Sequence, residues 1–326
     1  MNVETCDLSL ILPVYNVEKY ISHCLDSLLS QSFQGSLQIV LVEDKSPDNS
    51  LAICREYVAK YDNIVLIEHV ENGGSSVARN SGLEQVQGKY FVFVDPDDIV
   101  PETALETLYK AIEESGADIV KGNNTSFKAA QSPRLVNYSV KKKEEYIESE
   151  CFTVLLKHEK LRGHPWGKIF RTSSFKNIRF TPGYRMAQDL LFCVEVFSKA
   201  NRLVLIPDVV YQYRIHNSGA TGRKYETGAY LSWLRCITSV GAFVATGQQK
   251  KAYQELKVRT LTQIAKEIRS LKADALLTVL EVVERTRVEW GISLNKLILQ
   301  DKVSATSIHR YISFLSAQKK ARSSIK

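Results

Sequence analysis

No run of eighteen apolar residues occurs in this 326-residue chain, so no helix is expected to cross a bilayer. The first residues have neither the basic segment nor the small-residue cleavage site of a secretory leader. They run almost directly into Asp7-Leu8-Ser9-Leu10-Ile11-Leu12-Pro13, which argues against a signal peptide. The six cysteines (Cys6, Cys24, Cys54, Cys151, Cys193, Cys236) are scattered and no Cys-x-x-Cys occurs. A disulfide framework or structural zinc site is not expected; reduced thiols in a cytoplasmic chain are. Neither G-x-G-x-x-G nor G-x-x-x-x-G-K-[ST] is present, so other nucleotide-using α/β enzymes, such as a dehydrogenase or a sugar nucleotidyltransferase, fall behind. There is no internal repeat and no low-complexity tract. With 44% hydrophobic and 24% charged residues, the composition is that of an ordinary globular protein.

The net charge of +7 conceals two unlike parts. Residues 1–125 hold 8 Lys+Arg against 20 Asp+Glu, a charge of −12, and residues 126–326 hold 35 against 16, a charge of +19. The acidic part suits a metal site and is a poor match for nucleic acid, and the scattered basic residues form no nucleic-acid-binding motif. The basic part suits anionic lipid, phosphate or polyanionic sugar.

Along residues 7–125 short apolar runs alternate with helical spacing. Leu8–Leu12, Leu37–Val42, Ile64–Ile67, Tyr90–Val94 and a run from Asp118 read as buried strands. Between them residues 18–30, a segment opened by Ser46 as cap and Pro47 as first residue, a segment after Gly73-Gly74-Ser75, and Pro101 to about Ser115 read as helices. The alternation predicts a mostly parallel sheet with helices on both faces, and such sheets place ligands beyond the strand ends. Residues 126–150 read as a polar, irregular excursion, residues 151–216 as short helices with aromatic turns, and the chain from about 226 as helical with an interruption near Gly291.

Polar motifs follow the strands. Asp95-Pro96-Asp97-Asp98 closes the apolar run Tyr90–Val94. Three adjacent carboxylates disfavour joint ionisation, which a hard divalent cation relieves; an acidic turn leading into the next helix is the alternative. Asp44 ends the second strand, where a carboxylate can accept hydrogen bonds from a base or ribose. Gly73-Gly74-Ser75 permits a tight turn before a helix N-terminus, with Arg79 and Asn80 one to two turns further on.

The order of Pro13-Val14-Tyr15-Asn16-Val17-Glu18, Glu43–Ser50, Gly73–Gly82 and Asp95–Asp98 at successive strand ends closely resembles family 2 of the inverting glycosyltransferases. That family has the GT-A fold, an α/β arrangement with a Rossmann-like sheet. The resemblance is strong over residues 7–125. It continues through His164-Pro165-Trp166-Gly167-Lys168, Phe180–Gly183, Gln188-Asp189-Leu190-Leu191 and Tyr211–Arg214 to about residue 221. It implies a nucleotide-sugar-binding half at 1–125, an acceptor-binding half at 126–221 and a C-terminal helical region at 222–326.

The resemblance also implies roles. Pro13, Tyr15 and Glu18 would frame the nucleoside, Asp44 the base, and Arg79 the base or phosphate side. Asp95 would meet ribose or the metal shell, Asp97 would bind Mn²⁺ or Mg²⁺, and Asp98 would orient its neighbours. Asp189 would be the general base. The family commonly has Glu-Asp where this chain has Gln188-Asp189, so Gln188 supplies an amide beside the base on the acceptor side. Trp166 would line the acceptor site, and His216 would lie on the diphosphate or acceptor side. Lys168 would contact phosphate or stand in solvent.

The implied reaction moves a sugar, expected from a UDP-hexose, to a hydroxyl of a glycan or glycolipid with inversion to a β linkage. The expected acceptors are lipopolysaccharide core, O-antigen or capsule. A catalytically inactive sugar-binding module of the same fold and a transferase to polyprenyl phosphate are the alternatives. The last 25 residues carry six Lys or Arg and no acid, with Ile308, Tyr311, Ile312 and Leu315 at helical spacing. That pattern fits a helix lying on an anionic membrane at the inner face of the plasma membrane, or one packed on its own domain.

Overall fold

The computed structural model describes residues 6–128, 134–135, 139–184, 186–216, 226–267 and 273–293. The basic tail from Lys302 to Lys326, expected as a membrane-surface helix, lies outside the described residues.

The first half follows the apolar runs. Strands β1 (Cys6–Val14), β2 (Leu37–Glu43), β3 (Ile64–Glu68) and β4 (Gly88–Phe93) pair in parallel in the order β3-β2-β1-β4. Helices α1 (Ile21–Leu29), α2 (Ser50–Val58) and α3 (Ser75–Glu84) connect them, and α4 (Ala104–Ser115) leads to β5 (Ile119–Phe127). Alternate residues of each strand point to opposite faces. On one face Leu8, Leu10, Leu12, Tyr90 and Val92 pack with Ile21, Leu25 and Leu28 of α1 and Leu105, Leu108 and Ile112 of α4. On the other, Ile11, Phe91 and Phe93 join a core that extends to the C-terminal helices. Burying each of these phenylalanines stabilises the fold by roughly 1.5–3 kcal/mol.

Helix α2 starts three residues later than a cap at Ser46 suggests. The Ser46 hydroxyl instead accepts the Asn16 N–H at 3.2 Å, and Asp48 accepts the N–H of Ser50, the first helical residue, at 3.1 Å. A second strand-end loop thus holds Ser46 where a helix cap was expected.

The second half completes the same sheet. After β6 (Arg134–Leu135), β7 (Glu144–Ile147) and α5 (Ser149–Lys157), strand β8 (Lys168–Arg171) inserts antiparallel between β4 and β5. Then come α6 (Thr172–Phe175), α7 (Gln188–Lys199) and β9 (Arg202–Arg214), which runs parallel to β5, with β7 antiparallel at its outer edge. The sheet is mostly parallel, as expected, with antiparallel pairing wherever β6, β7 or β8 takes part. The excursion at 126–150 is not wholly irregular: Glu144–Ile147 is an edge strand on β9. Strand β5 crosses residue 125, so the two halves expected from the sequence share one sheet. Helices α8 (Thr227–Val240), α9 (Gly247–Glu267) and α10 (Ala273–Glu289) follow as expected, and Gly291 closes α10 with a left-handed φ of 64°.

Candidate active site

The carboxyl ends of β1, β2, β3 and β4 lie side by side, and the strand-end motifs gather there. Pro13 is still within β1 and Tyr15 just beyond it is 46% exposed, the most open aromatic ring on this edge. Glu18 is tied back, accepting the Asn49 backbone N–H at 3.0 Å and its side-chain amide at 3.1 Å. These bonds fasten the loop after β1 to the loop after β2.

Asp44 is buried and its carboxylate is heavily engaged. Oδ1 accepts the Gly73 N–H at 2.9 Å, Oδ2 accepts the Gly74 N–H at 2.7 Å, and His69 Nδ1 lies 2.8 Å from Oδ1. His69, which no local motif singles out, also meets Ser81 Oγ at 2.9 Å. Asp44 thus braces the glycine turn that opens α3, where Gly74 has a φ of 81° that a side chain would resist. Gly82, two turns on, lets α3 settle onto the sheet: a Cβ there would meet Ile11 Cγ2 at 2.4 Å.

The Asp95–Asp98 turn is gripped from β9 and the residues after it. The Asp95 N–H donates to Tyr211 Oη at 3.0 Å, and the Arg214 N–H donates to Asp98 Oδ1 at 2.7 Å. Arg214 Nε donates to the Asp97 carbonyl at 2.7 Å, and His216 Nε2 lies 2.9 Å from Asp97 Oδ2. The His216 ring packs at a tilt against Tyr20, with centroids 4.4 Å apart. Burial, reinforced by the charges of Asp97 and Asp95, pushes the Asp98 carboxyl well above the usual carboxylate range. Burial and the neighbouring Asp97 and Asp189 push Asp95 up to about 6, against the pull of Arg79.

Among the described residues no group of three or more His, Cys, Asp and Glu side chains is arranged to hold a metal unaided. The donor set nevertheless fits a divalent ion completed by substrate phosphates. Asp97 and His216 face each other, and the crowded carboxylates beside them are what a cation would relieve.

Asp189 enters from the other half. It stands in the first turn of α7, preceded by Ala187 in a left-handed conformation with φ 65°. Arg79 Nη1 donates to Asp189 Oδ1 at 2.8 Å, and Arg79 Nη2 donates to Asp95 Oδ1 at 2.8 Å. One guanidinium therefore joins the Asp95 turn to the residue expected to be the base. Gln188 Nε2 donates to Ser75 Oγ at 3.2 Å. The predicted donor and acceptor residues thus meet through α3.

Trp166 is buried, stacked on His164 and on Tyr211 with centroids 4.6 Å away in each case. An isolated parallel bridge pairs it with Phe93 of β4, and its stacking partner Tyr211 accepts the Asp95 N–H. Lys168 does not stand in solvent. It is buried, and its ammonium donates to the carbonyls of Arg162 and His164. Cross-strand from it, Lys121 is also buried and donates to the Lys160 carbonyl at 3.3 Å; burial and Lys168 push it down to about 7. Burial likewise holds His164 down at about 3, hence neutral.

A mixed sheet with an Asp-x-Asp turn at a central strand end, and a carboxylate brought to it from a second half, is the GT-A architecture. The model of the family described as Glycosyl transferase family 2 matches residues 9–179. Glycosyltransferase GlyA of Streptococcus pneumoniae serotype 4 is 34% identical over 215 residues, covering 64% of this chain and 30% of that protein. The minor teichoic acid biosynthesis protein GgaB of Bacillus subtilis is 31% identical over 228 residues, covering 66% of this chain and 24% of that protein. This chain thus spans less than a third of the length of either relative. Among solved structures, S. aureus TarS 1-349 in complex with UDP-GlcNAc superimposes with a TM-score of 0.70 at 21% identity, over 97% of this chain and 92% of that one. The chain belongs to family 2 of the glycosyltransferases.

Proposed function

We propose that this protein is an inverting hexosyltransferase that moves a sugar from a UDP-activated donor onto a hydroxyl of a cell-envelope glycan, leaving a β linkage. The observation that carries this reading is the shared guanidinium. Asp189 reaches the same arginine as Asp95, so a carboxylate able to take a proton stands at the donor-side acidic turn. The convergence of Asp95, Asp97 and Asp189 favours catalysis over a binding module that has lost its chemistry.

In this mechanism the nucleoside lies over the loops of Pro13, Tyr15 and Glu18, with Asp44 on its base side. Asp97 and His216 hold the divalent ion, and a histidine ligand suits Mn²⁺ better than Mg²⁺. Bound there, the ion would offset charge gathering on the leaving diphosphate. Asp189 accepts the proton of the acceptor hydroxyl as its oxygen attacks the anomeric carbon from the face opposite the diphosphate. Gln188 and the Trp166 segment border the acceptor.

The charge of +19 over residues 126–326 favours an anionic acceptor, and GgaB is named for teichoic acid, a polymer of that kind. We therefore place an anionic surface polymer ahead of lipopolysaccharide core, O-antigen or neutral capsule. The basic tail would hold the enzyme at an anionic membrane. Deleting residues 316–326 is expected to lower binding to anionic liposomes, and unchanged partitioning counts against that part.

Calorimetry with UDP, GDP and dTDP, each with and without Mn²⁺, tests the donor half. Mn²⁺-dependent binding of UDP is expected. If no nucleotide binds under any condition, the reading fails. With a UDP-α-hexose that turns over, an α-linked product would overturn inversion.

A further inference from the structure

Helix α3 crosses to the acceptor half at three points. Ser75 meets Gln188, Arg79 meets Asp189, and Asn80 clamps the backbone of Phe180. Its amide donates to the Phe180 carbonyl at 2.9 Å and its carbonyl accepts the Phe180 N–H at 2.8 Å. Ser75 and Arg79 are four residues apart and share one helical face, while Gln188 and Asp189 are the first two residues of α7. The base is therefore registered against α3, a donor-half helix whose glycine turn is itself braced by Asp44.

Arg79 is 4% exposed and rests over the Phe180 ring, 5.3 Å from its centroid. Its two terminal nitrogens are committed to different carboxylates, and its Nε is buried with no hydrogen-bond partner among the described residues. Burying a guanidinium in this way is costly unless both ion pairs are kept. A planar guanidinium has fixed donor directions, so it sets the separation and orientation of the two carboxylates; an ammonium cannot. With an amide at position 188, Arg79 makes the ion pair of Asp189 seen among the described residues.

We propose that Arg79 is a positioning residue for the transfer step: it aligns the Asp189 carboxylate with the donor-side Asp95, and acts through them rather than by contact with the nucleotide base. The proposal rests on Asp189 being the base, and it departs from the sequence expectation that Arg79 meets the base or phosphate.

Arg79→Lys keeps the charge and loses the fork. Its kcat is expected to fall on the order of 100-fold, the cost of a small misplacement, while UDP–Mn²⁺ affinity by calorimetry stays near wild type. Introduced into Asp189→Asn, the same change is expected to cause little further loss. A lysine variant with weakened UDP binding and intact kcat would make Arg79 a donor contact and overturn the proposal, as would one with both values unchanged. Wild-type turnover by Asp189→Asn alone would instead remove the base assignment, so the two failures are distinguishable. If Arg79→Lys does not fold, Asn80→Ala frees the Phe180 segment from the same helix. A lower kcat at unchanged UDP affinity supports the proposal, and an unchanged kcat overturns it.

Discussion

His216 Nε2 lies 2.9 Å from Asp97 Oδ2, across 119 residues of sequence. The contact brings a histidine just beyond β9 to the acidic turn after β4, and in the proposed mechanism His216 would be the second protein ligand for a divalent ion. Asp97→Ala is expected to abolish the Mn²⁺-dependent part of UDP binding, and His216→Ala to weaken it. Calorimetry with and without Mn²⁺ checks both. Equal Mn²⁺ dependence in wild type and Asp97→Ala would rule the pair out as ligands.

Asp189→Asn removes the proton acceptor and keeps the size of the side chain. Transfer is expected to drop by roughly 10²–10⁴-fold, the usual contribution of general-base catalysis, with UDP affinity largely retained. A single-turnover assay beside a calorimetric titration separates the two quantities.

Asp44→Asn replaces one carboxylate oxygen with a donor that faces backbone N–H groups. The acceptors of Gly73 and Gly74 cannot both survive this change. A stability loss of roughly 1–3 kcal/mol is expected from urea unfolding. Nucleotide affinity should fall for UDP and GDP alike if the residue acts through the glycine turn, and for UDP alone if it reads the base.

Lys121 gives a pH signature. Its ammonium is pushed from an ordinary 10.5 down to about 7 in the fold, so between those values the unfolded chain binds the extra proton. Stability is penalised in full below about 7, and the penalty lifts as pH rises toward the unfolded value. Lys121→Met is therefore expected to stabilise the protein more at about pH 7 than at about pH 10. Urea midpoints of both proteins at the two pH values check this, and an equal effect at both would contradict the assignment.

The donor half was legible because each of its signals is local. Leu8–Leu12 and Tyr90–Val94 are uninterrupted apolar runs, and Asp95–Asp98 directly follows one of them. The acceptor half was less so. Glu144–Ile147 pairs along an edge, has half its residues exposed and carries two glutamates, so it shows no apolar run. Arg202–Arg214 contains Pro207 and Asp208 at a bulge that interrupts its register with β5. Links such as Arg79 to Asp189 join residues 110 apart, and nothing in either local sequence signals the partner. Lys168 read as a phosphate contact or a solvated lysine; only the fold shows its ammonium capping two backbone carbonyls.

Strand β8 lies between β4 and β5 yet is synthesised after both. Until residues 168–171 leave the ribosome, β4 has no partner on that side and Phe91 lacks Phe170; Phe93 waits longer still for Phe192. Sheet closure is thus a late, non-local event, which slows folding and leaves a sticky edge on the nascent chain. A fragment ending near residue 125 would carry every donor-side motif and still aggregate, since its central strand would be left as a border.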